Sequence, residues 1–113
     1  MPPERFDELV SDALDTIPAE LTKVMNNVVV LVEDISPRGG MRLLGLYEGI
    51  PLTSRNSWYA GALPDRITIF RGPTLRMCTT EDEVVDEVHI TVVHEVAHHF
   101  GIDEQTLHEL GWG

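Results

Sequence analysis

Residues 80–101, TEDEVVDEVHITVVHEVAHHFG, decide how the rest of the chain must be arranged. Thr80 followed three residues later by Glu83 is a capping box, which starts a helix by satisfying its first amides. Glu81, Asp82 and Glu83 also suit the positive end of a helix dipole. Gly101 supplies a stop, because glycine takes the left-handed conformation at a helix end without penalty. The predicted helix therefore runs over 81–100. Val84, Val85, Val88, Ile90, Val92, Val93, Val96, Ala97 and Phe100 spread over most of its circumference at about 100° per residue. A helix apolar nearly all round is a central, buried one.

The polar interruptions in that apolar surface carry the chemistry. His94-Glu95-Val96-Ala97-His98 is H-E-x-x-H. Four residues advance a helix by about 400°, so the two imidazoles fall about 40° apart and can reach one metal ion. Glu87 and Thr91 share their stripe. Zn²⁺ suits nitrogen donors in a tetrahedral site, and one ion per chain is the expectation. Glu95 lies off the histidine line, where it can take a proton from water without displacing a ligand. Glu104, Asp103 and His108 are candidates for a third ligand, and spacing favours Glu104. Asp103 also reads as the N-cap of a last helix over 104–110 that ends at Gly111. His99 points about 100° away from His98 and reads as a residue that packs or supports a ligand rather than as a ligand itself. His89 faces the other side and takes no role.

Outward from that helix, residues 3–17 place Phe6, Leu9, Val10, Ala13, Leu14 and Ile17 at helical spacing, with acids opposite. Pro18 breaks this helix or opens a second piece carrying Leu21, Val24 and Met25. Residues 27–33, NVVVLVE, read as a buried strand, and 42–48, RLLGLYE, as a weaker one. Residues 51–65 read as a long irregular loop holding Trp58 and Tyr59, of a length that is often functional. Residues 66–71, RITIFR, are the clearest strand, ended by Gly72 and Pro73. Helices and strands thus follow one another in an α+β order.

The chain has 113 residues and a net charge of −11, with 42% apolar and 24% charged residues. This composition describes one globular domain over residues 1–113. The acidity argues against nucleic acid, which needs clustered Lys and Arg. Arg55, Arg66, Arg71 and Arg76 gather what positive charge there is in the middle third. Cys78 is the single cysteine, which suits a reducing compartment. The N-terminus lacks the charged flank and apolar run of a secretory signal, and no stretch approaches the length needed to span a bilayer. The expectation is a cytoplasmic protein, with no membrane partner.

The segments TVVHEVAHHFGIDEQTLHELGW, LPDRITIFRGP and GLYEGIPLT resemble those of the small bacterial zincin-like metallopeptidases, or mini-zincins. The resemblance spans roughly residues 5–113 and implies a zincin-like core. That core has an N-terminal helix, a small mixed sheet, a buried H-E-x-x-H helix and a short C-terminal helix. It implies His94 and His98 as metal ligands and Glu95 as catalytic base. Glu104 stands where the family pattern H-E-x-x-H-x-x-G-x-x-D has Asp. It further implies an edge strand that binds an extended peptide by main-chain pairing. Ile67, Thr68, Ile69 and Phe70 are the expected substrate-binding residues. The short C-terminus leaves no methionine turn beneath the metal, and Trp112 is expected to fill that space. The activity implied is zinc-dependent peptide hydrolysis on a peptide or protein substrate. The alternative is a non-catalytic binding or homodimeric module with an empty or structural metal site.

Overall fold

The computed structural model describes residues 1–49 and 64–112. Trp58, Tyr59 and Arg55 fall outside the described residues, as does most of the expected loop. Helix α1 spans Pro3–Leu14, α2 Ala19–Val24, α3 Arg71–Met77, α4 Glu81–His99 and α5 Glu104–Leu110. Strand β1 spans Val28–Glu33, β2 Gly45–Glu48 and β3 Asp65–Phe70. The fold is α+β with a small mixed sheet, as the sequence pattern and the resemblance anticipate.

Helix α4 begins as its sequence dictates. The Thr80 hydroxyl accepts the Glu83 N–H at 3.1 Å, and the Glu83 carboxylate accepts the Thr80 N–H at 3.0 Å. The same carboxylate also accepts from Thr79, which holds it below its ordinary pKa. At the other end Gly101 takes φ +75°, and the Ile102 N–H turns back to the Ala97 carbonyl at 2.8 Å. Valines 84, 88, 92, 93 and 96 and Ala97 are buried. Ile90 and Phe100, expected in the apolar girdle, are instead exposed.

Phe6, Leu9, Val10 and Ala13 of α1 join the same core cluster. Arg5 donates to both carboxylate oxygens of Glu81 at 2.7 and 2.8 Å, and the Thr16 hydroxyl meets His89 Nδ1 at 2.7 Å. These two pairings set α1 alongside α4 in the same direction. Pro18 caps α2 rather than merely ending α1.

The sheet order is β1-β3-β2, with β1 parallel and β2 antiparallel to β3. Two expectations are corrected here. The segment containing Ile67, Thr68, Ile69 and Phe70 is not an edge. It is the central strand, hydrogen-bonded on both sides, with all four residues buried. The alternation of Ile with Thr and Phe mimics a half-exposed strand because Thr68 and Phe70 are covered too. Conversely, β1 is not fully buried. Val28, Val30 and Val32 face the core, while Val29 and Leu31 are 41% and 42% exposed. An apolar residue on the solvent face erases the alternation that would mark such a strand.

Gly72 and Pro73 end β3 without starting a loop. They sit in the first turn of α3, where a missing N–H leaves no bond unmade. The Gly72 N–H donates to the Asp34 carbonyl at 2.8 Å, tying the start of α3 to the end of β1. Among the described residues no helix is long and apolar enough to cross a membrane.

Candidate metal centre

Helix α4 and strand β2 together shape one cleft. Its lining includes His94, Glu95 and His98 from α4, and Arg42, Leu43, Leu44 and Gly45 leading into β2. Its volume is about 280 Å³. Glu87, Ile90 and Thr91 complete it, so the stripe expected from helical spacing does face one space. Among the described lining residues, Arg42 is the only arginine or lysine.

Strand and helix approach so closely because of Gly45. A Cβ on Gly45 would lie 2.5 Å from the Thr91 methyl and 3.2 Å from the Thr68 carbonyl oxygen. Close approach of another backbone element is what glycine in a strand permits. The approach has a chemical result: the Tyr47 backbone N–H donates to Glu95 Oε1 at 3.1 Å. The Phe70 N–H bonds the Leu44 carbonyl, so by antiparallel alternation Leu44, Leu46 and Glu48 face β3. Gly45 and Tyr47 then turn their backbone groups outward, toward α4. Glu95 thus has its carboxylate fixed to the strand edge beside the cleft.

The imidazoles of His94 and His98 have ring centres 6.3 Å apart, inclined by 36°. Glu104 brings Oε1 to 3.5 Å from His94 Nδ1. Asp103 is engaged elsewhere: its side chain accepts the Thr106 N–H at 2.8 Å and caps α5. That bond holds the Asp103 carboxyl below its usual range. His108 lies exposed in the last turn of α5. Of the candidates for a third ligand, Glu104 is therefore the one with a carboxylate beside His94.

Two imidazoles and a carboxylate are a donor set that Zn²⁺ accepts. Two imidazoles sharing one tetrahedral zinc place their ring centres about 5 Å apart. The observed pair is about 1 Å wider, a gap that side-chain rotation spans because both residues sit on one rigid helix. Among the described residues no three His, Cys, Asp or Glu side chains are gathered as a closed coordination set. The donors fit the ion in kind, in an open arrangement.

Tyr47 is a residue that the sequence reading passed over. Its ring stacks on His99 at 3.9 Å between centres, its hydroxyl donates to Asp65 Oδ2 at 2.8 Å, and its N–H holds Glu95. His99 Nε2 lies 3.9 Å from Asp65 Oδ2, and Phe100 packs edge-on against His99. His99 is thus a packing residue, as its angle on the helix suggests. The available signal was the glycine two residues before Tyr47, which marks a close backbone approach. Trp112 lies with Asp86, His89 and Ile90 and is not among the residues that line the His94–His98 cleft, so it does not fill the expected space.

A family model described as zincin-like metallopeptidase matches residues 25–112. The chain belongs to the zincin-like metallopeptidase family. This zincin-like chain also superposes on a solved structure, a conserved hypothetical protein from T. thermophilus, with a TM-score of 0.58. The two share 25% identity over 88% of this chain and 94% of the other. No curated protein matches the chain.

Proposed function

We propose that this zincin-like protein is a zinc-dependent peptidase, with His94, His98 and Glu104 as metal ligands and Glu95 as general base. The observation that carries the reading is the convergence of His94, Glu95 and His98 on one cleft beside the edge of β2. Family membership over most of the chain supports it.

The zinc ion, when bound, would make water acidic near neutral pH and polarise a carbonyl. The histidines would bind through ring nitrogens, both presented from one rigid helix. Glu104 would add negative charge beside His94. Glu95 would take a proton on a carboxylate oxygen and return it to the leaving amine. The Tyr47 N–H orients that carboxylate and must share or release it as substrate arrives.

The position of β2 supports an extended peptide lying along β2 rather than β3. Gly45 and Tyr47 are the residues whose main chain turns toward the cleft, and main-chain pairing with them would bring a peptide bond past Glu95. Leu43, Leu44 and Ile90 offer apolar contact, and Arg42 offers one cationic contact.

The test is a peptide-library digest by zinc-loaded protein, with Glu95→Gln and His98→Ala alongside. Cleavage by wild type that both variants lose supports the reading. Zinc-loaded wild type that binds peptides without cutting them would replace it with a binding module.

A further inference from the structure

We infer that strand β1 joins a second copy of this chain edge to edge, forming a two-fold dimer with one continuous six-stranded sheet. The inference is independent of catalysis, because it concerns the sheet edge remote from β2.

It begins with the hydrogen-bonding parity of β1. The Asp65 N–H donates to the Asn27 carbonyl at 3.0 Å. In a parallel pair, odd-numbered β1 residues therefore bond β3, and Val28, Val30 and Val32 turn their backbone groups to the outer edge. The Val28 N–H is satisfied by the Met25 carbonyl at 3.0 Å. The outward N–H and C=O of Val30 and Val32, and the Val28 C=O, have no partner among the described residues. Its central residues Val28–Val32 carry no proline, no charge and no bulge, and the one charged residue, Glu33, stands at the strand's end. A groove of about 370 Å³ runs beside it, lined by Val30, Leu31 and Val32 and by Asp7, Ser11 and Leu14 of α1.

A second copy fits this edge better than an unlike partner. Residues 24–32, VMNNVVVLV, are uncharged in a chain of net charge −11. Exposed Val24, Val29, Leu31 and Ile35 flank the edge. An antiparallel two-fold centred on Val30 sets Val30 opposite Val30, and Val28 opposite Val32. All are residues with outward backbone groups, so Val30 exchanges both bonds with its counterpart and the Val32 N–H meets the opposite Val28 carbonyl. Side chains agree with that register. Val29 meets Leu31, and Glu33 meets Asn27 rather than another acid. Centring the axis on Leu31 would instead set Glu33 against Val29. The centre of the seam, Val28–Val32, is thus apolar, uncharged and self-complementary, with Glu33 only at its ends.

A single strand join buries less than the roughly 800 Å² per partner of a standard interface, so the dimer is a weak, concentration-dependent one. Two copies of charge −11 repel, so screening salt strengthens it.

Sedimentation velocity from about 1 to 500 μM protein, at low and high NaCl, is the test. The expected result is a shift from the 12.7 kDa chain toward about twice that mass, at lower concentration when salt is high. Leu31→Lys, at a position already exposed, should fold normally and remain monomeric throughout. Hydrogen exchange at the Val30 and Val32 amides should slow as dimer forms. A monomer at the highest concentration and salt would overturn the inference. So would a dimer indifferent to Leu31→Lys, or one that leaves those amides unprotected.

Discussion

Gly45→Ala is the substitution for which the structure dictates the largest effect from a single added carbon. Its Cβ would stand 2.5 Å from the Thr91 methyl, about 1 Å inside van der Waals contact. The methyl is not free to swing aside. Thr91 is buried, and its hydroxyl donates to the Glu87 carbonyl at 2.8 Å, which fixes the rotamer. Rotation would forfeit that bond, worth about 1 kcal/mol. The other escape slides β2 away from α4 and lengthens the 3.1 Å bond from Tyr47 to Glu95. Overpacking of this kind costs about 1–3 kcal/mol, and replacing glycine in a strand returns about 0.5 kcal/mol. The expected net loss is about 2 kcal/mol, or about 8 °C in Tm for a domain of this size. Urea unfolding of four proteins isolates the cause. Thr91→Ser keeps the hydroxyl bond and deletes the offending methyl, at a cost of about 1 kcal/mol when made alone. In Gly45→Ala/Thr91→Ser the two losses should fall short of their sum by at least about 1 kcal/mol. Additivity within about 0.5 kcal/mol, or a neutral Gly45→Ala, would refute the close-approach argument.

Four further outcomes follow from particular contacts. Asp103→Ala should lower the Tm through loss of the α5 cap while leaving zinc affinity unchanged. Glu104→Ala should do the reverse, and isothermal titration beside thermal melts separates the two. Tyr47→Phe keeps the stack on His99 but leaves Asp65 without the phenol donor, and should lower stability by about 1 kcal/mol in urea titrations. The carboxyls of Glu81, Glu83 and Asp103 are held below their ordinary range by Arg5, by Thr79 and by Thr106 respectively. Their unfolded forms take up protons first, so their contribution is full above the ordinary carboxylate range and is lost as pH falls through and below it. Glu83→Gln should flatten that acid-side decline in urea midpoint, and an unchanged slope would count against the capping box as its source.

Features with a local cause were legible in the chain. The start of α4 is written in Thr80 and Glu83, its end in Gly101, and α5 in Asp103 and Gly111. Helical spacing alone put His94, His98, Glu87 and Thr91 on one stripe, and that stripe faces the cleft. What escaped depends on the order of strands, which no local pattern encodes. Ile67–Phe70 alternates like a half-exposed strand yet is buried throughout, and the edge position that the resemblance implies fails because β1 and β2 bond it on either side. Val28–Glu33 reads as continuous core yet has one solvent-facing side, because Val29 and Leu31 are apolar where a polar residue would have marked exposure. With the strand order reversed, the role of facing the cleft moves from β3 to β2. Tyr47 was invisible for the same reason: its bond to Glu95 links residues far apart in sequence through a backbone N–H. Helix α3 was hidden behind Gly72 and Pro73, which punctuate a chain but are also tolerated in a first helical turn.

The central claim is that the H-E-x-x-H stripe of α4 binds zinc. Elemental analysis of protein purified without a chelating tag, followed by zinc titration of wild type and His98→Ala, tests it most directly. The account predicts a single tightly held zinc per chain in wild type, lost in His98→Ala while the fold persists by circular dichroism. Wild type without zinc, or zinc binding indifferent to His98→Ala, would contradict it.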